Sequence, residues 1–211
     1  MNLELNENQK NIAKSIINIG LKKAAESLSF FMKYNIKIEG NDFNIIDIKQ
    51  AKTNSSNETK KILTTELVGE LKGVSYLIFT DNEASQLYKQ CLPADVLNNE
   101  TKLAMMGEAI LLEVDNIITA SVVTQFSNLL KVKIYGGVPN FSIMSDAQLL
   151  DIIEKKSNEN TYLLNLKAKF VSEEANFSPE FLWLLDNQFI ESIKNFENNE
   201  EQVNKLKQLT A

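Results

Sequence analysis

Apolar positions recur at helical spacing over residues 6–34, where Ile12, Ile16, Ile19, Ala24, Leu28 and Phe31 predict one long amphipathic helix with Gly20 in its middle. The pattern then switches to short β-rich runs at 36–39 and 43–48, separated by Gly40-Asn41-Asp42, a turn signal. Residues 49–58 are polar and rich in Ser and Asn and read as a loop. Two longer strands, 62–71 and 74–79, bracket Lys72-Gly73. A short helix over 82–91 follows, with Asp81 placed to cap it.

The order then repeats. After a connection at 93–99, a second long helix is predicted from Glu100 to Leu130, leading into strands 132–135 and 141–144 around Gly136-Gly137. A helical segment at 147–155 takes the place of the earlier polar loop, strands 162–170 and 180–185 follow, and a last helix starts at Asp186-Asn187. Asp186-Asn187 echoes Asp81-Asn82 at an offset of 105, and Asn116 echoes Asn18 at an offset of 98. Two registers one short insertion apart describe a diverged tandem repeat. The expected fold class is therefore α/β (α+β): a pseudo-twofold duplicated domain with one mixed or antiparallel sheet and two long helices side by side on one face. The chain is read as a single domain, 1–211, made of repeats at about 5–92 and 100–196, with 197–211 a polar helical extension or tail.

Within the second long helix, residues three and four apart share a face. Ala109, Glu113, Asn116 and Ala120 form one stripe, an acid and an amide between small flanks that leave both side chains accessible to something docking on the helix. The bland counterpart is a solvated polar stripe on an amphipathic helix.

Composition removes most other chemistry. The chain has no His and one Cys, which excludes the usual zinc sites, an internal disulfide and the standard catalytic triads. Carboxylates, amides, hydroxyls and lysines are what is left. A net charge of −6 without a basic cluster argues against nucleic acid and anionic membrane as partners. The N-terminus lacks a signal-peptide pattern and no apolar run is read as long enough to insert in a membrane, so a cytoplasmic location is expected. Gly136-Gly137 joins strands, with no following helix N-terminus, and reads as a turn and not as a phosphate cradle. Cys91 reads as a buried apolar residue.

Glu113-x-x-Asn116 followed by Pro139, with 22 residues between Asn116 and Pro139, resembles the active-site signature of the CheC/CheX/FliY family, phosphatases of the response regulator CheY. Asn18-Ile19-Gly20 resembles the corresponding segment of the family's other long helix. Four positions depart from the family pattern: Ala109 stands where the family has Asp or Ser, and in the first half Ser15 stands at the Glu position, Asn11 at the Asp/Ser position and Asn41 at the Pro position. Glu108 is adjacent but projects about 100° away around the helix. The resemblance implies one working site in the second half, Glu113 and Asn116 shaped by Pro139 and Ala109, and a degenerate second site at Asn18 and Ser15.

What the resemblance implies about chemistry is hydrolysis of an aspartyl phosphate on a phosphorylated CheY-type regulator. Asn116 orients the attacking water and Glu113 pairs with the regulator's Lys. The protein has no cofactor or metal of its own, since the regulator supplies Mg²⁺. Such catalysis is mostly positioning and charge stabilisation, and a short, stiff amide can do for water what the Gln of GTPases does. A second reading is a non-catalytic adaptor that binds a response regulator or a CheD-type deamidase. A third is a flagellar-switch relative that uses the fold as an assembly part.

Overall fold

The computed structural model describes residues 5–53, 56–173 and 176–210. The first helix, α1 (Glu7–Met32), opens on a capping box in which Asn6 and Gln9 exchange side-chain and backbone hydrogen bonds. It leads to β1 (Lys37–Ile46), a short α2 (Ile48–Thr53), β2 (Thr59–Gly69), β3 (Gly73–Phe79) and α3 (Asp81–Cys91). After a single turn, α4 (Ala94–Leu97), the order repeats with α5 (Glu100–Leu130), β4 (Ile134–Gly136), β5 (Asn140–Ser145), α6 (Asp146–Lys156), β6 (Thr161–Val171), β8 (Glu180–Asp186) and α7 (Asn187–Glu197). A two-residue strand, β7 (Asn176–Phe177), precedes β8, and α8 (Glu200–Thr210) ends the described chain.

All described pairings in the sheet are antiparallel, in the order β1-β6-β8-β3-β2-β4, with β5 also on β2 and β7 on β6. The order reads the same from both edges. β3 and β8 meet in the centre, β2 and β6 flank them, and an edge strand from each half lies outside. The expected pseudo-twofold sheet is therefore present, and its pairing is antiparallel.

The central strands are apolar on both sides because both faces of the sheet are covered. Leu77, Phe79, Phe181, Trp183 and Leu185 face the core shared with α1 and α5. Val74, Tyr76, Ile78, Leu182 and Leu184 face a second, smaller core roofed by Leu149, Leu150 and Ile153 of α6. The polar 49–58 stretch, read as a loop, contains α2, which closes this second face with Ile48 and Ala51. Lys52 ties α2 to α6 through Asp151 and Glu154, each at 2.6 Å.

Two expected hairpins are absent, for one reason. Gly40-Asn41-Asp42 does not turn the chain; β1 runs through it, and the register slips between Ile38 and Asn41 as a β-bulge with Gly40 at φ 75°. In the second half β4 and β5 do not pair with each other around Gly136-Gly137. Both lie on β2, β4 opposite Leu67–Gly69 and β5 opposite Thr59–Thr64, as one interrupted edge strand. The Gly signals mark breaks along edge strands, where an interrupted ladder costs least.

The cap of α3 is Thr80 and not Asp81: the Thr80 hydroxyl accepts from Glu83 N, and Glu83 answers with a bond from Thr80 N. Asn198-Asn199 breaks the terminal stretch, and α8 packs back with Leu206 buried and Gln202 donating to the Leu129 carbonyl at 3.2 Å.

The helices α1 and α5 lie against one another antiparallel: Gly20 meets Val122, and the end of α1 reaches Glu113 and Ile117. Gly20 permits the contact, since a Cβ there would stand 2.7 Å from Val122 Cα. By length and mean hydropathy α5 is apolar enough to cross a bilayer, which corrects the expectation that no segment is. In this fold that apolar surface meets α1 and the sheet, with Leu111, Val114, Ile118, Val122 and Phe126 buried.

Candidate functional site

The α5 helix is held at both ends and along one face. Asn99 caps it by accepting from Lys102 N at 3.0 Å, and Lys131 closes it in the left-handed conformation at φ 59°. Toward its C-terminus Phe126 packs edge-to-face on Trp183 and tilted against Phe189, with ring centroids 5.6 and 5.5 Å apart. Such a helix presents its outer face rigidly.

That outer face carries the stripe read from the sequence. Ala109, Glu113, Asn116 and Ala120 are all exposed, and neither Glu113 nor Asn116 has a side-chain hydrogen bond or ion pair among the described residues. Met105 and Met106 extend the stripe toward the helix N-terminus, exposed at 72% and 42%. An acid and an amide one turn apart, both unoccupied, can receive a cation and position a water on an incoming surface. The exposed methyl of Ala109 adds no third polar group, and Glu108, also exposed, lies around the helix from it.

Beside Glu113 runs an open groove of about 1100 Å³ between α5 and the end of α1, lined by Glu26, Phe30, Phe31, Tyr34, Glu113 and Ile117. Phe30 is 89% exposed there. Pro139 is half-buried in the break between β4 and β5, on a different element from the stripe. The missing N–H of Pro139 falls where the edge strand is already interrupted. Gly137 N, two residues earlier, donates to the Glu66 carbonyl at 2.8 Å.

The first-half counterpart is built differently. Asn18 and Ser15 are half-buried on α1, and Asn18 Oδ1 is buried with no hydrogen-bond partner among the described residues. Asn18 thus does not stand clear of the fold as Asn116 does, and Ser15 brings no carboxylate.

One polar residue of α5 escaped the sequence reading. Asp115, between Glu113 and Asn116, points inward and is fully buried. Thr65 Oγ1 on β2 donates to its Oδ2 at 2.6 Å and Thr119 Oγ1 to its Oδ1 at 3.2 Å. Ser75 Oγ on β3 lies 3.5 Å from Thr119 Oγ1. Burial pushes the Asp115 carboxyl up to about 6, against the lowering effect of the two hydroxyls. Its phase was legible: Leu111, Asp115, Ile118 and Val122 share the apolar face, and an acid there must be buried. Cys91 is half-buried and not fully buried, and desolvation raises its thiol to about 11. Among the described residues no cluster of three or more His, Cys, Asp or Glu could hold a metal ion.

The architecture is shared with FliY from Thermotoga maritima at a TM-score of 0.63 and 16% identity, covering 91% of this chain and 96% of that one. It is shared with a chain of the H. pylori FliG–FliM complex at 0.58 and 11%, covering 88% and 98%. It is also shared with a chain of the CheX–CheY–BeF3–Mg²⁺ complex from Borrelia burgdorferi at 0.52 and 17%, covering 81% and 97%. At such identities the likeness is one of fold. No curated protein matches the chain. Residues 106–143, which hold the stripe and Pro139, match the CheC-like family. Together these findings bear out the resemblance to the CheC/CheX/FliY family.

Proposed function

We propose that this protein is a phosphatase of a phosphorylated CheY-type response regulator and acts in the cytoplasm. The observation that carries the reading is the free, exposed Glu113–Asn116 pair on a braced helix, inside the segment that is CheC-like. Docking lays the stripe over the regulator's acyl phosphate. Glu113 pairs with a lysine at that site, and Asn116 accepts one hydrogen bond from a water and fixes its lone pair in line with phosphorus. The water's oxygen bonds to phosphorus, the bond from phosphorus to the aspartyl oxygen breaks, and inorganic phosphate leaves carrying the water's two protons, with the regulator's carboxylate restored. The chain has neither His nor Arg, and positioning by acid and amide needs neither. Mg²⁺ belongs to the regulator's own site in this reading and needs no ligand from the phosphatase. A chain of this fold solved in a CheX–CheY complex supports the choice of partner.

Ala109, which offers no polar group, favours a second reading in which the same face only binds, as an adaptor for a regulator or a CheD-type deamidase. The likeness to a chain of the FliG–FliM complex favours a use in assembly. The decay of a phosphorylated CheY-type regulator separates these readings. A phosphatase shortens the lifetime catalytically, and Asn116→Ala, still bound, does not. Binding without any acceleration by the wild-type protein would establish the adaptor.

A further inference from the structure

The carboxylate of Asp115 has no use in the chemistry above, and its surroundings are unusual for an acid. It lies on the sheet side of α5 with one donor on each oxygen, Thr65 from β2 and Thr119 from the next turn of its own helix. Ser75 continues the chain of hydroxyls onto β3. Gly136 of β4 completes the wall: a Cβ there would stand 3.6 and 3.7 Å from the Thr65 and Thr119 methyls. Phe141 of β5 packs against the same core. Burial and the Thr65 and Thr119 hydroxyls are what act on the carboxyl, and among the described residues no lysine or second carboxylate contributes. A buried acid without a cation is expensive, and an apolar residue of similar size would pack there at less cost.

The other half of the molecule makes that replacement. At the offset of 98 that aligns Asn18 with Asn116, Asp115 aligns with Ile17, which is buried in the core. The acid and its hydroxyls thus lie beneath the stripe that keeps both Glu and Asn. The counterpart beneath Asn18 is apolar.

We infer that Asp115 is a positioning residue: bonded to Thr65, it fixes the rotation of α5 on the sheet and so the angle at which Glu113 and Asn116 meet a partner. Adjacent residues on a helix are about 100° apart, so any roll of α5 that breaks the Thr65 bond swings Asn116 with it. An ionised Asp115 accepts from both threonines; once protonated it donates from one oxygen, and the threonine hydroxyl there turns to accept. Protonation of Asp115 therefore rearranges the hydroxyl bonds that hold α5 on the sheet.

The kinetic part of the test rests on the phosphatase reading; the structural part does not. In free protein carrying Glu113→Gln, which removes the acid of the stripe, the Asn116 side-chain amide and the backbone amides of residues 113, 114 and 116 should titrate together in an NMR pH series, with a midpoint near that of Asp115. Asp115→Asn in the same background keeps the hydrogen-bonding shape and should abolish that titration. The same curve with and without Asp115→Asn would overturn the inference. With phosphorylated regulator, Asp115→Leu should lower kcat about tenfold at neutral pH, the size of a misplaced catalytic group, and Asp115→Asn should recover most of the loss. Equal rates for the folded Leu and Asn variants would also overturn it. If wild-type protein accelerates nothing, the phosphatase reading falls and the amide titration still decides the role of Asp115.

Discussion

The roles proposed for Asn116 and Glu113 are separable, and a kinetic experiment can separate them. A carboxylate that meets a lysine on the partner contributes to docking, so Glu113→Ala should raise KM for the phosphorylated regulator by about tenfold and leave kcat within a few-fold. An amide that matters only when water attacks contributes to the transition state, so Asn116→Ala should lower kcat by about 100-fold with KM little changed. Steady-state rates over a range of regulator concentration check both. Cys91 belongs at the same scale as a negative control. With its thiol raised to about 11, little thiolate exists near pH 8, and a disulfide reagent should modify native protein much more slowly than unfolded protein. The outward stripe could be read from sequence because it needs only helical spacing and small neighbours. The hydroxyls around Asp115 could not, since Thr65 and Ser75 come from strands whose register with α5 is a tertiary fact.

Two contacts decide how α5 sits among its neighbouring elements. Gly20→Ala would drive a methyl into the Val122 backbone, and backbone cannot step aside as a side-chain tip can. Overpacking of roughly 1–3 kcal/mol should exceed the helix-propensity gain of about 1 kcal/mol, so the variant should melt a few degrees lower in a thermal scan. The Asp115 contact has a pH signature with a definite sign. Its folded-state carboxyl titrates near 6 against an ordinary value of 3.8, so native protein holds a proton that the unfolded chain has released. That favourable contribution is complete below the ordinary value and is lost as pH rises through 6. Relative to Asp115→Asn, wild-type protein should lose on the order of 3 kcal/mol between about pH 4 and about pH 7.5, read from denaturant unfolding at each pH. A difference that stays flat with pH would mean that Asp115 is not buried as an acid. Element boundaries were legible where local signals act alone: the spacing of α5 gave Glu100–Leu130, and the structure has the same span. The strand runs of β1, β4 and β5 were legible and their pairing was not, because a Gly-rich break looks the same in sequence whether it turns a hairpin or bulges an edge.

At the scale of the whole molecule, the palindromic sheet sets two similar helices antiparallel and leaves their outer faces unlike. The duplication could be read from Asp81-Asn82 and Asp186-Asn187, because a repeated order of elements survives when individual residues drift. The depth at which each Asn sits could not, since it depends on what packs around α1 and α5. In the proposed reaction only the second half works on the partner, through Asn116. The most direct test is the rate of phosphate release from a phosphorylated CheY-type regulator with wild-type protein, Asn18→Ala and Asn116→Ala, each first shown to bind it. The expected result is the wild-type rate for Asn18→Ala and the regulator's own slow decay for Asn116→Ala. Release by Asn116→Ala at the wild-type rate, or release that depends on Asn18 instead, would show that Asn116 is not the working group.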